Sequence, residues 1–132
     1  MHLFICKNQA QWKDHCFPCV IGKNGVTNHK EEGDMKTPLG TFALREVFYR
    51  ADRVGDIQTS LKKTMITPDL GWCDSPTHPC YNKLIKRPFL DSHEELYRED
   101  HLYDIVVVVG YNDDPIISRK RQCYFSTSAL ST

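Results

Sequence analysis

The stretch "YDIVVVVGYN" (103–112) decides the fold. Its apolar run, Ile105 to Val109, is continuous rather than alternating, which reads as a central strand buried on both faces. The "GYNDDP" run at 110–115 is a turn, with Gly, Asn, Asp and Pro each suited to one of its backbone positions. A sheet centred on such a strand needs a further strand to close it. At that point the chain reads "RKRQCYFSTSALST" (119–132), a basic run and a serine/threonine tail.

Upstream, "LFIC" (3–6) and "CVIG" (19–22) are short apolar runs with polar and glycine punctuation, and both read as strands. "KNG" (23–25) signals a tight turn. "TFALREVFYR" (41–50) is β-prone. Residues 51–82 contain Pro68, Gly71, Pro76 and Pro79, which exclude a long helix and predict an irregular excursion with short strands, in which Trp72, Cys73 and Tyr81 are the groups to bury. Ser92 with Glu95 three residues later is a capping box, predicting a short helix to about Asp100 with Leu96 as its apolar anchor and Glu94 and Glu95 in its first turn. The fold class expected is therefore mainly β with one or two short helices, in one domain.

Composition narrows the function classes. Hydrophobic residues make up 40% of the 132, enough for a core. Seventeen Lys and Arg balance 17 Asp and Glu, so there is no electrostatic case for nucleic acid or an anionic membrane. No apolar run reaches the roughly 18 residues of a membrane span. "MHLFICKNQAQWKD" (1–14) lacks the pattern of a secretory signal, so the sequence read by itself places the chain in the cytoplasm with its six cysteines as thiols. Cys16 and Cys19 have the CxxC spacing of zinc and redox sites, but no second CxxC completes a four-ligand set, and Cys19 equally fits a small buried residue. No metal or cofactor is expected.

For nucleophilic catalysis the thiols are Cys73, Cys80 and Cys123, and the bases His15, His29, His78, His93 and His101; no pair stands at a spacing that selects it. His78 and Cys80 in "SPTHPC" also suit a surface turn. The most informative block is "HKEEGDMKTPLG" (29–40). Gly33 and Gly40 suit positions where a side chain would clash, Pro38 fixes φ, and Asp34 and Thr37 can bond nearby amides. A rigid turn shaping a cleft wall accounts for it better than direct chemistry does.

Taken in order, "IGKNGV…HKEEGDMKTPLGTF", "FYRADR", "WCDSPTHPCYN" and "SHEELYREDHLYDIVVVVGYN" closely resemble the L,D-transpeptidase catalytic domain (YkuD-type) in its compact single-domain branch, over roughly residues 15–118. Met35 stands where that family usually has glycine. The resemblance implies a YkuD-like β-sandwich or barrel over 1–118. It implies acyl transfer from peptidoglycan stem tetrapeptides, through a cysteine thioester, to an amine. The cysteine is activated by a histidine and the oxyanion is held by backbone amides. It also implies action outside the cytoplasmic membrane, stem peptides as partners and no cofactor. Lys30, Glu32, Gly33, Asp34, Thr37, Pro38 and Gly40 match the family's strongest motif, and Tyr111 and Asn112 its cleft-side turn. A domain that binds such peptides or a protein partner without turnover is the alternative, and a small zinc or redox protein a further one.

After the "GYN" strand the family continues with a segment similar to "GKGSAIFLH", carrying the catalytic histidine, and a "TxGC" segment carrying the nucleophile. Residues 119–132 match neither, so no catalytic residue is assigned and the chain as written is expected to be inactive. One allowed coding of Arg121 to Ser128, AGG CAG TGC TAT TTT TCT ACA TCN, gives Gly-Ser-Ala-Ile-Phe-Leu-His when its first base is dropped. A one-base frameshift near Lys120–Arg121 is therefore expected, with 119–132 an out-of-frame tail. The Ile105–Val109 strand is then expected to have an unpaired edge or an uncovered face, and the chain to be poorly soluble.

Overall fold

The computed structural model describes residues 2–31, 33–117 and 124–126, the last three by their backbone. It is mainly β, with one short helix among the described residues. Three strands, β1 (Leu3–Cys6), β2 (Gln9–Trp12) and β3 (His15–Pro18), form an antiparallel meander. Its two-residue turns begin at Lys7 (φ 54°) and Lys13 (φ 52°), both left-handed. The second apolar run is not a strand: β3 ends at Pro18, and Cys19 donates its amide to the Asn8 carbonyl instead. The Asn-Gly turn forms as expected, closed by the Gly25 amide on the Gly22 carbonyl at 2.8 Å. Short parallel strands β4 (Val26–Thr27) and β5 (Thr37–Pro38) follow.

The chain then enters its central sheet through β6 (Leu44–Tyr49) and leaves it by α1 (Ala51–Val54). It returns as β7 (Lys62–Met65), parallel to β6. A second sheet takes β8 (Leu70–Cys73) between β9 (Leu84–Lys86) and β10 (His93–Glu95). Next comes β11 (Ile105–Val109), antiparallel to β6 with a register shift between Val107 and Val109, and the sheet closes with β12 (Tyr124–Ser126) in the order β12-β11-β6-β7. The continuous apolar run is thus an interior strand. Val106 and Val108 are buried in the core with Phe48, Ile66, Leu70, Trp72, Leu96 and Tyr103, and Ile105 and Val107 are half-buried. Phe48 meets Trp72 edge to face, with centroids 6.0 Å apart, where the two sheets pack.

Two further expectations need correction. The capping-box segment is not helical: 93–95 is β10, paired with β8 through His93↔Cys73 and Glu94↔Trp72. Leu96 alone could not give a helix an apolar face, whereas pairing with β8 satisfies the backbone and still buries Leu96. Glu94 accepts a bond from the Tyr103 hydroxyl at 3.1 Å, and Glu95 pairs with Arg87. The Ile105–Val109 edge is not open either, because Val106, Val107 and Val108 pair with Ser126, Phe125 and Tyr124. The remaining positions of the 119–132 tail lie outside the described residues.

"FYRADR" acquires a structural reason. Buried Arg50 clamps both carboxylate oxygens of Asp52 (2.7 and 2.8 Å), donates to the Arg98 carbonyl at 2.7 Å and stacks 3.6 Å from the Tyr97 ring centroid. Arg53 reaches the Glu99 and Asp100 carbonyls and the Asp104 carboxylate at 2.6–2.7 Å. These forked guanidinium contacts tie α1 to the loop ahead of β11. Among the described residues, no helix is long and apolar enough to cross a membrane.

Candidate functional site

The 29–40 loop folds around the Asp34 carboxylate. One oxygen accepts the Glu31 amide and the other the Lys36 amide, each at 2.8 Å. Lys30, buried along its length, places its ammonium on the same carboxylate and on the Glu31 carbonyl. Burial by itself would raise the Asp34 carboxyl. The Glu31 amide, the Lys30 ammonium and the Lys36 amide outweigh it and hold the group at about 2, against 3.8 for an ordinary aspartate. Asn24 joins from outside, its side chain donating to the Asp34 carbonyl and its amide to the Met35 carbonyl, both at 2.9 Å.

Thr37 and Pro38 carry the loop into β5. The Thr37 hydroxyl accepts the Gly22 amide at 2.8 Å, and its own amide donates to the Gly25 carbonyl. Pro38 is buried. Gly33 (φ 79°) sits in open space, so its requirement for glycine is torsional. Met35 is also left-handed (φ 53°) and half-exposed. A left-handed L-residue costs about 1–2 kcal/mol, and glycine returns about 0.5–1 kcal/mol through its freer unfolded chain. Met35→Gly is therefore expected to raise stability by up to about 1 kcal/mol, read as a higher urea midpoint at unchanged m. A lower midpoint would mean that the Met35 side chain contributes packing the left-handed backbone does not reveal.

At the far end of the loop a Cβ on Gly40 (φ 140°) would lie 2.7 Å from Phe42 Cζ. The Phe42 ring in turn meets Tyr111 edge-on, with centroids 5.3 Å apart. The residues singled out by sequence thus fall into two groups. Lys30, Gly33, Asp34, Thr37 and Pro38 form one knot, and Gly40 joins Tyr111 through Phe42. Glu32 lies outside the described residues. Asn112 (φ 55°) braces its own turn, bonding both the amide (2.6 Å) and the carbonyl (3.0 Å) of Ile117.

Asn82 was not singled out by sequence reasoning, although it stands in the "CYN" block. Buried and left-handed (φ 60°), it accepts from the Trp72 indole at 3.4 Å and donates to the Asn112 carbonyl at 2.5 Å. Comparison with protein-family models, curated proteins and solved structures returns no match.

Two of the described thiols, Cys19 and Cys73, are buried, while Cys6 and Cys16 are exposed and Cys80 is half-buried. Cys73 is fully buried, and desolvation is the largest influence pushing its thiol up, away from the thiolate. His93 faces it across the β8–β10 pairing, with Nδ1 bonded to the Asp91 carbonyl at 2.8 Å. His78 Nδ1 accepts the Cys80 amide at 3.0 Å while its ring packs on Phe89, which makes "THPC" a local turn. His101 pairs with Asp104. Burial, then the neighbouring Cys16, push the Cys19 thiol up. Cys16 lies in β3 and is exposed, Cys19 follows the strand and is buried, and both are free thiols. Among the described residues, no group of three or more His, Cys, Asp or Glu is arranged to hold a metal ion. Cys123 lies outside the described residues.

Proposed function

We propose that this domain is the scaffold of an L,D-transpeptidase-type acyltransferase acting on peptidoglycan stem peptides, with residues 119–132 as given standing in place of the segment that carries its catalytic histidine. The observation that carries the proposal is β12. The three residues that pair with Val106–Val108 are Tyr124, Phe125 and Ser126. In one allowed coding, a reading frame displaced by one base turns them into Ile-Phe-Leu, which also suits a strand beside an aliphatic neighbour, and puts a histidine directly after them. The Asp34 knot adds support. The Asp34 carboxylate, consumed by two amides and an ammonium, is not free to act as a base, which supports a wall-shaping role for it.

The reaction needs a thiolate to attack the carbonyl carbon of the L-to-D peptide bond, an imidazole to take the thiol proton and pass it to the leaving amine, and amide donors for the oxyanion. Cys73 cannot substitute, since no substrate carbonyl reaches a fully buried sulfur. The test begins with the gene: sequencing through the codons for Ile117 to Thr132 and beyond, in all three frames. The expected result is an intact histidine strand and a Thr-x-Gly-Cys segment in the displaced frame. The frame-restored protein should then gain the mass of one ring-opened carbapenem on a single cysteine, while the chain as written gains none. Absence of both segments in every frame, or a restored protein that forms no adduct, would overturn the proposal.

A further inference from the structure

Asn82 is fastened at both ends. Its amide donates to the Cys73 carbonyl at 2.9 Å, the Cys73 amide donates to the Lys83 carbonyl at 3.0 Å, and the Lys83 amide closes a turn on Cys80 at 3.0 Å. The left-handed backbone of Asn82 occupies the third position of that turn, which an L-residue other than asparagine or aspartate adopts at a cost. Its main chain therefore belongs to the end of β8. Its side-chain amide crosses to the Asn112 carbonyl, and Asn112 grips Ile117 by both backbone groups. A hydrogen-bonded path thus runs from Trp72 and the second sheet, through Asn82, to the turn by which the chain leaves β11. A further polar brace on this turn, Arg45 to Asp113 at 2.6 Å, has half of the arginine side chain in solvent and holds correspondingly less.

We propose that Asn82 is a positioning residue: by holding the Asn112 carbonyl it fixes the 110–117 turn against the end of β8, at the point where the chain leaves β11 on its way to β12. What that strand carries rests on the function proposed above, where the histidine directly follows it. The positioning itself does not depend on that function.

Hydrogen exchange on the full chain as written tests it with three variants. Asn82→Gly keeps the left-handed backbone and deletes both side-chain bonds. Asn82→Asp keeps an oxygen for the Trp72 indole and removes the donor to Asn112. Asn82→Ala adds torsional strain. In Asn82→Gly and Asn82→Asp the amides of Tyr111 and Ile117 and those between β11 and β12 should exchange at least about ten-fold faster, the scale of one lost buried hydrogen bond, with the β6–β7 amides unchanged. Equal acceleration everywhere would reduce Asn82 to a general stability residue. Wild-type protection in Asn82→Asp would remove the Asn112 bond as the agent, and either result overturns the proposal. In the frame-restored chain, Asn82→Gly should lower the maximal acylation rate about ten-fold while leaving the half-saturating carbapenem concentration in place. A restored chain that is never acylated would sink the proposed function and leave the exchange result standing.

Discussion

Gly22→Ala is expected to destabilise the fold by about 3 kcal/mol, the upper end of what inserting one methyl into a packed site costs. Its Cβ would stand 2.4 Å from the Met35 carbonyl oxygen and 2.7 Å from the Cα and carbonyl carbon of Lys36. Those are backbone atoms, so no rotamer change relieves the overlap. Moving the 35–36 segment aside would also break the Gly22 amide bond to Thr37 and the Thr37 amide bond to Gly25. Gly33→Ala provides the contrast. A Cβ there meets nothing within 4 Å, and only the positive φ resists it, at about 1–2 kcal/mol. Urea unfolding of the two variants should separate them in that order, and equal losses would mean that the loop shifts as a unit and that Gly22 is not its fulcrum.

Asp34→Asn should cost about 3 kcal/mol at neutral pH, because it leaves the Lys30 ammonium buried without its counter-charge. The same pair predicts an acid limb. The folded carboxyl, at about 2, lies below its ordinary value of 3.8, so its contribution is complete above the unfolded value and is lost as pH falls through 3.8 towards 2. The amount is about 2 kcal/mol. Denaturation midpoints taken between pH 5 and pH 2 should fall more steeply for the wild type than for Asp34→Asn. Parallel slopes would show that the carboxylate is no better stabilised in the folded loop than in the unfolded chain.

Apolar runs were legible in the sequence, and Leu3–Cys6, Leu44–Tyr49 and Ile105–Val109 are strands near where the pattern put them, the last two in the core and the first largely at the surface. Gln9–Trp12 and His15–Pro18 were not, since their side chains are largely exposed and carry few strand formers. Those strands exist because two-residue turns at Lys7 and Lys13 fold them back on β1, and a left-handed lysine has no signature. At 92–100 a genuine local signal, Ser92 and Glu95, lost to a tertiary one, the hydrogen-bonding edge of β8. Ala51–Val54 is four residues long and leaves no period to read. Within the site, the glycines, Pro38 and Asp34 announced a constrained loop, and its residues do hold one another. Asn82 was invisible because an asparagine in a turn looks the same whether its side chain faces water or, as here, a carbonyl 30 positions away.

The pairing of β6 with β11 carries a cost during synthesis. Its partners stand 56 to 65 residues apart in the chain, from Tyr49 opposite Ile105 to Leu44 opposite Val109. On the ribosome, at about 5–20 residues per second, the valine and aromatic side chains of β6 wait several seconds before the strand that covers them emerges. Closing so long a loop is entropically expensive and rewarded only at the end, which makes assembly of this sheet slow compared with the local meander at the amino terminus. The nascent chain is thus most vulnerable to misassociation while residues 50 to 104 are being made, and a chaperone that shields Val47, Phe48 and Tyr49 over that interval would raise the yield of folded protein more than any change at the mature surface.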